Sequence, residues 1–250
     1  MAGSEPSANP TLHAVGPRRG SARPALGLRQ WDGATALLIA GAVLYSAWPL
    51  ENLVVTGLPP GRSFISELAA EGQPTRSLFA ACDAAAGALI AYGCIARLFS
   101  SAQQACWART FLWLTLLGAG VMTSVCAVLS PMECSPSLEE GCETLGFNGL
   151  LPSQALTHVA LSTLVEAALL AAMWIAHRLA PTTYRFRRGL PRESFLGVLS
   201  CCLLLVDIAL SAYESSLHGL VQRAHVAIVA AWLISLAWSI RRQAVEPASR

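Results

Sequence analysis

Six apolar stretches, each near the length of a bilayer-spanning helix, leave few folds open to this chain. They cover roughly 33–55, 78–98, 110–130, 154–176, 194–213 and 220–240. A helix needs about 20 apolar residues to cross a bilayer. Lipid offers the backbone no hydrogen-bond partners, so only helices or a closed barrel can span it, and runs this long are helices. The sixth run is weakest at its start, where Gln222, Arg223 and His225 sit, and the fifth contains Asp207. Charged residues are 13% of the chain, against about 25% in a soluble domain. The expected fold is all-α: a polytopic membrane protein with a bundle of six transmembrane helices.

The basic residues predict its orientation. All 17 are arginine, a skew expected of a GC-rich, bacterial genome. With the N-terminus in the cytoplasm, 14 fall on the inner side and only Arg62, Arg76 and Arg223 fall outside. Arginine excess marks cytoplasmic loops, so both termini are expected to be cytoplasmic and the protein to sit in the cell membrane. Residues 1–32, rich in Gly, Pro, Ser and Arg, read as a disordered cytoplasmic tail. They are not expected to be a signal peptide, because the apolar run that follows is too long for one. Residues 33–240 form the transmembrane domain and 241–250 a second cytoplasmic tail. No basic cluster is interleaved with aromatics, which gives nucleic-acid binding no support.

Small residues crowd the second run (AACDAAAGALIAYG) and the LLGAG of the third. They permit close backbone approach between helices, although an Ala-rich genome would also produce them. The loop 131–153 holds Cys134, Cys142 and four glutamates. On an oxidising outer face, Cys134 and Cys142 are expected to pair. The other six cysteines lie in or beside helices and read as small packing residues. The outer loop 56–77 carries the patch Phe64-Ile65-Ser66-Glu67-Leu68. It reads as an amphipathic segment lying on the outer surface or folding back over the bundle.

The fourth run opens with QALTHVALSTLVE, in which Gln154, His158, Ser162 and Glu166 recur every four residues. That spacing stacks them on one helix face, and the face must meet something polar. Asp83, His158, Asp207 and His225 all fall roughly 6–9 Å below the outer surface, taking 1.5 Å per residue. Glu51 lies just above this layer, Glu214, His218 and Arg223 border the last outer turn, and Glu166 lies deeper. Ionisable groups within spans face the bundle interior or a wet cavity. The candidate polar pocket is therefore Ser66, Asp83, His158, Glu166, Asp207, Glu214, Arg223 and His225. One reading is a hydrogen-bonded network that locks helix packing. Another is a His-His-Asp cation site, although no H-x-x-x-H or H-E-x-x-H spacing supports a metal. A third is acid–base chemistry on a lipid headgroup with Ser66 as nucleophile.

The stretch SFISELAAEGQPTRSLFAACDAAAGALI resembles a signature of the bacterial and archaeal membrane family catalogued as domain of unknown function 998. Ser66, Pro74, Phe79, Asp83 and Gly87 carry the likeness, and His158 and Gly219 to Arg223 extend it. The resemblance runs from about residue 33 to 240. It implies a six-helix integral membrane protein with no established reaction. That family is in turn distantly similar to the Frag1/DRAM/Sfk1 group, some of whose members are tied to lipid anchors or phosphoinositide signalling. The acidic cysteine loop and the N-terminal tail are not expected of every member.

The expected function is therefore that of a multi-pass membrane protein with an outer polar pocket, binding a lipid or small ligand or assisting other membrane proteins. The alternative is a membrane-embedded hydrolase or transferase, with or without a metal, acting on lipid headgroups. A transporter fits less well, since no inverted repeat or matched pair of broken helices is evident. No cofactor and no protein partner is named by these residues.

Overall fold

The computed structural model describes residues 32–99, 107–139, 142, 153–179, 192–213 and 215–245. Within them are six α-helices: α1 (Gly33–Tyr45), α2 (Arg76–Leu98), α3 (Trp107–Leu129), α4 (Ser153–Leu179), α5 (Arg192–Ala212) and α6 (His218–Val245). No strand occurs among the described residues. Each helix packs against its neighbours in sequence, and α6 packs against α1, which closes the ring. Helices α2 to α6 are long and apolar enough to cross a membrane. The shorter α1 has 13 residues and rises about 20 Å, less than the ~30 Å of hydrocarbon.

The apolar run 33–55 is thus divided rather than continuous. Pro49 supplies no N–H and its ring collides with the carbonyl four residues earlier, that of Tyr45. The α-helix ends at Tyr45, and the chain continues as a 3₁₀ helix, Trp48–Leu53.

Trp113, Leu116, Val229, Trp232 and Leu233 form the centre of the core with Leu38 of α1. The outside of the bundle is apolar as well. Phe111, Leu114, Val121, Leu164, Leu205 and Ile208 are all exposed, as lipid-facing positions are. Phe99, Trp107 and Trp174 lie exposed toward one end, the placement of an interfacial aromatic belt. There the Arg178 guanidinium lies 5.7 Å from the Trp174 ring centroid.

Helices α2 and α3 approach closely at Gly87 and Gly120. A Cβ on Gly120 would stand 2.7 Å from the Gly87 carbonyl oxygen, so no larger residue fits without movement. The Ser124 hydroxyl donates to the Ala84 carbonyl at 2.9 Å across this seam. At the aromatic end, Asp32 caps α1. Its carboxylate accepts from the Thr35 amide at 2.8 Å and from Arg97 of α2 at 2.7 Å. Burial raises the Asp32 pKa, but the Thr35 amide and the Arg97 guanidinium outweigh it and hold the group below its ordinary value.

The opposite end carries a roof. The second 3₁₀ helix, Ile65–Ala69, folds back over the bundle. Leu68 joins Leu58 and Phe79 in a small separate core, with Trp48 and Leu50 against it. The amphipathic patch therefore turns inward.

Candidate functional site

The roof is held by two buried glutamates. Glu51 takes a two-pronged bond from Arg223 of α6, with Nε and Nη2 each 2.7 Å from a carboxylate oxygen. Arg223 Nη1 also donates to the Pro60, Ser63 and Gly219 carbonyls, at 2.9, 2.8 and 3.0 Å. Its donors are thus used on the 59–63 turn, on Gly219 of its own helix and on Glu51. Gly219 lets that turn press on α6: a Cβ there would lie 2.5 Å from the Pro60 and Ser63 oxygens. Glu67 is fully buried. One of its oxygens accepts from the Phe64 amide at 2.7 Å, and the other from the amide and hydroxyl of Ser137. Glu67 so ties the roof to the segment that follows α3. In that segment the Sγ atoms of Cys134 and Cys142 are bonded, with Cα atoms 6.1 Å apart. The Glu71 amide adds a bond to the Met132 carbonyl at 2.8 Å.

Beneath the roof lies a cavity of about 400 Å³. Its floor and walls come from α1 (Tyr45), α2 (Asp83), α3 (Cys126) and α4, with Gln222 and Val226 from α6. Phe64, Ile65, Ser66 and Met132 line it from above, and it opens sideways past the exposed Val159 and Thr163. The four-residue spacing on α4 has its counterpart here: His158, Ser162 and Glu166 all line this cavity. The Gln154 side chain lies outside the described residues.

Of the eight candidate pocket residues, the structure brings together Ser66, Asp83, His158 and Glu166. Arg223, Asp207 and His225 do not line the cavity. Arg223 is committed to the roof. His225 sits behind Glu166, with Nε2 2.9 Å from the Ser200 hydroxyl and 3.8 Å from Glu166 Oε2. Asp207 is buried on α5, and its Oδ1 has no hydrogen-bond partner among the described residues. Glu214 lies outside the described residues. His218 stacks on Phe64 of the roof, with ring centroids 4.6 Å apart.

Tyr45, Cys126 and Glu67 were not singled out by sequence reasoning as parts of a site. The tyrosine ends an apolar helix, the cysteine reads as packing, and Glu67 sits in a loop. None carries a spacing signal. Only the fold brings them to the same end of the bundle.

The chemistry open to this arrangement follows from its proton positions. His158 Nδ1 lies 2.7 Å from the Ser130 carbonyl oxygen. A carbonyl only accepts, so Nδ1 carries the proton and the neutral ring keeps its lone pair on Nε2. Cys126 Sγ stands 3.4 Å from the same Nδ1. That nitrogen is spoken for, so it is no base for the thiol. No hydrogen bond joins Ser66 to a histidine or carboxylate among the described residues. Asp83 makes no hydrogen bond or ion pair there either, and Glu166 Oε2 is buried without a hydrogen-bond partner. No group of three or more His, Cys, Asp or Glu side chains that could hold a metal occurs among the described residues.

A family model described as "Protein of unknown function (DUF998)" matches residues 38–239. No curated protein and no solved structure matches the chain.

Proposed function

The chain belongs to the DUF998 family of proteins of unknown function, and from that premise we propose that it is a six-span protein of the cell membrane that holds a lipid or small ligand in the roofed cavity. In this reading both termini are cytoplasmic and the roof faces outward. The 3₁₀ helix Trp48–Leu53 extends α1 toward the outer surface. The Cys134–Cys142 bond suits the oxidising side.

One observation carries the reading: the cavity beneath the roof is lined by Ser66, Asp83, His158 and Glu166 and is large enough for a small molecule. Pockets of ~300–1,000 Å³ with a few polar groups among apolar walls are the usual form of ligand sites. A hydrolase needs a nucleophile within hydrogen-bond reach of a base. Among the described residues of the cavity, Cys126 Sγ lies 3.4 Å from His158 Nδ1, but that nitrogen gives its proton to the Ser130 carbonyl, which favours binding over catalysis.

The test fills the space. Ala127→Trp places an indole into the cavity from α3, where Ala127 lines the wall. Native mass spectrometry of the protein released from its own membrane should show a bound small molecule or lipid on the wild type and its loss in Ala127→Trp. A wild-type protein that carries nothing, and that no lipid extract loads, would defeat the reading.

A further inference from the structure

The ionisable groups that line the cavity are uneven in sign. Asp83 and Glu166 both face it, and no arginine does. The basic side chains around it are already engaged. Arg223 is neutralised by Glu51. His158 donates its Nδ1 proton to the Ser130 carbonyl and so meets the cavity as a neutral ring whose Nε2 lone pair can accept a further N–H, and His225 shares Nε2 with the Ser200 hydroxyl. Were His225 to charge, it would offset Glu166 at 3.8 Å and still leave Asp83. Glu166 Oε2 is itself buried without a hydrogen-bond partner. A carboxylate removed from water is costly unless a cation or donor meets it. The cavity holds the space in which one could.

The remaining walls suit a particular cation. Tyr45 and Phe64 supply aromatic rings, and Ile65, Met132, Val159 and Val226 supply apolar surface. Aromatic faces attract ammonium groups, and the apolar walls suit the carbon around them. A phosphate, by contrast, finds no free guanidinium here.

We infer that the ligand of this cavity is an organic ammonium group, seated between Asp83 and Glu166 against the Tyr45 and Phe64 rings. This rests on the ligand-binding reading above and narrows it to one charge and one chemistry. The ammonium has two sources: the headgroup of an aminolipid, or a free amine from the outer solution.

The experiment uses the full chain in mild detergent, with Asp83→Asn and Glu166→Gln. Choline and its uncharged carbon isostere, 3,3-dimethylbutanol, are titrated by calorimetry. In parallel, phosphatidylethanolamine and phosphatidylglycerol compete at equal concentration, with bound lipid read by native mass spectrometry. The inference expects the ammonium probe of at least one pair to bind tenfold or more better than its partner. A choline preference alone identifies a free amine, and a phosphatidylethanolamine preference alone identifies a lipid. Each substitution should reduce that preference at least tenfold. Neither should lower the melting temperature, because each removes the burial cost of a carboxylate that lacks a hydrogen-bond partner. That separates a ligand role from a packing role. Equal binding of the charged and uncharged probes, unchanged in the variants, overturns the inference and leaves the cavity reading standing. Binding of no probe and no lipid overturns both.

Discussion

At Arg223 and Glu51 a single ion pair supports a whole surface. Both side chains are almost fully buried, and their carboxylate–guanidinium fork is closed at both prongs. Removing one partner of such a pair costs ~3–5 kcal/mol, chiefly because the other is left buried and charged. Arg223→Met should therefore lower stability by about that amount, measured by thermal unfolding in detergent. The double variant Glu51→Leu, Arg223→Met should recover part of the loss. Additive losses would mean that the two side chains act independently.

Asp32 gives a second residue-level expectation, this one in pH. Its folded-state pKa lies below the unfolded value because the Thr35 amide and Arg97 bind the carboxylate form against the pull of burial. The unfolded chain therefore takes up the proton first as pH falls. The stabilisation is present above the ordinary carboxylate pKa and is lost as pH falls through the folded value. Asp32→Asn should flatten this part of the acid side of a stability–pH curve and leave neutral-pH differences as a constant offset. An unchanged acid limb would show that the Asp32–Arg97 contact carries no such linkage.

At the level of the elements, the glycine seam between α2 and α3 sets how near those helices lie. Gly120→Leu must displace the Gly87 backbone. It should cost ~1–3 kcal/mol, in the range of overpacked sites, whereas the same change at Gly118, where a Cβ would meet only the flexible end of Met122 at 4.0 Å, should cost much less. The roof offers a different test. The Cys134–Cys142 bond closes a loop with a sequence separation of 8, and chain entropy gives such a link ~2–3 kcal/mol. Reduction should loosen the Ser137 grip on Glu67. Hydrogen exchange over 64–69 should then rise while the amides of α3 stay protected. Equal exchange before and after reduction would detach the disulfide from the roof.

The long helices were legible because bilayer length and hydropathy are written in contiguous residues. Half of the candidate pocket was legible for a related reason. A polar face every four residues on α4 can only point inward, and His158, Ser162 and Glu166 do. The division of the first apolar run at Tyr45 was carried by Pro49 alone, a local signal that a hydropathy window averages away. The partners of Arg223 were not legible, since depth in the membrane does not say which way a side chain turns. Asp207 and His225 share their depth with Asp83 yet stand outside the cavity. Glu67 was hidden for another reason: its role depends on Ser137, 70 residues away.

For the molecule as a whole, the ring of six helices has a seam between its first and last members. The positive-inside reading predicts that a fluorescent reporter fused after residue 250 is active inside the cell. It also predicts that a cysteine placed in the roof is labelled from outside. The reverse pattern would invert the reading.

The Glu51–Arg223 bond spans that seam across 172 positions. At ~5–20 residues per second of synthesis, Glu51 is made roughly ten to thirty seconds before its partner. Throughout that interval the nascent protein holds an acid at the membrane border that nothing yet answers. A polypeptide stopped short of α6 never receives the answer. Truncated and finished molecules therefore differ by one unpaired carboxylate at that border. A chain ended at residue 213 should be cleared quickly by membrane proteases, and Glu51→Leu should lengthen its half-life in a pulse–chase experiment.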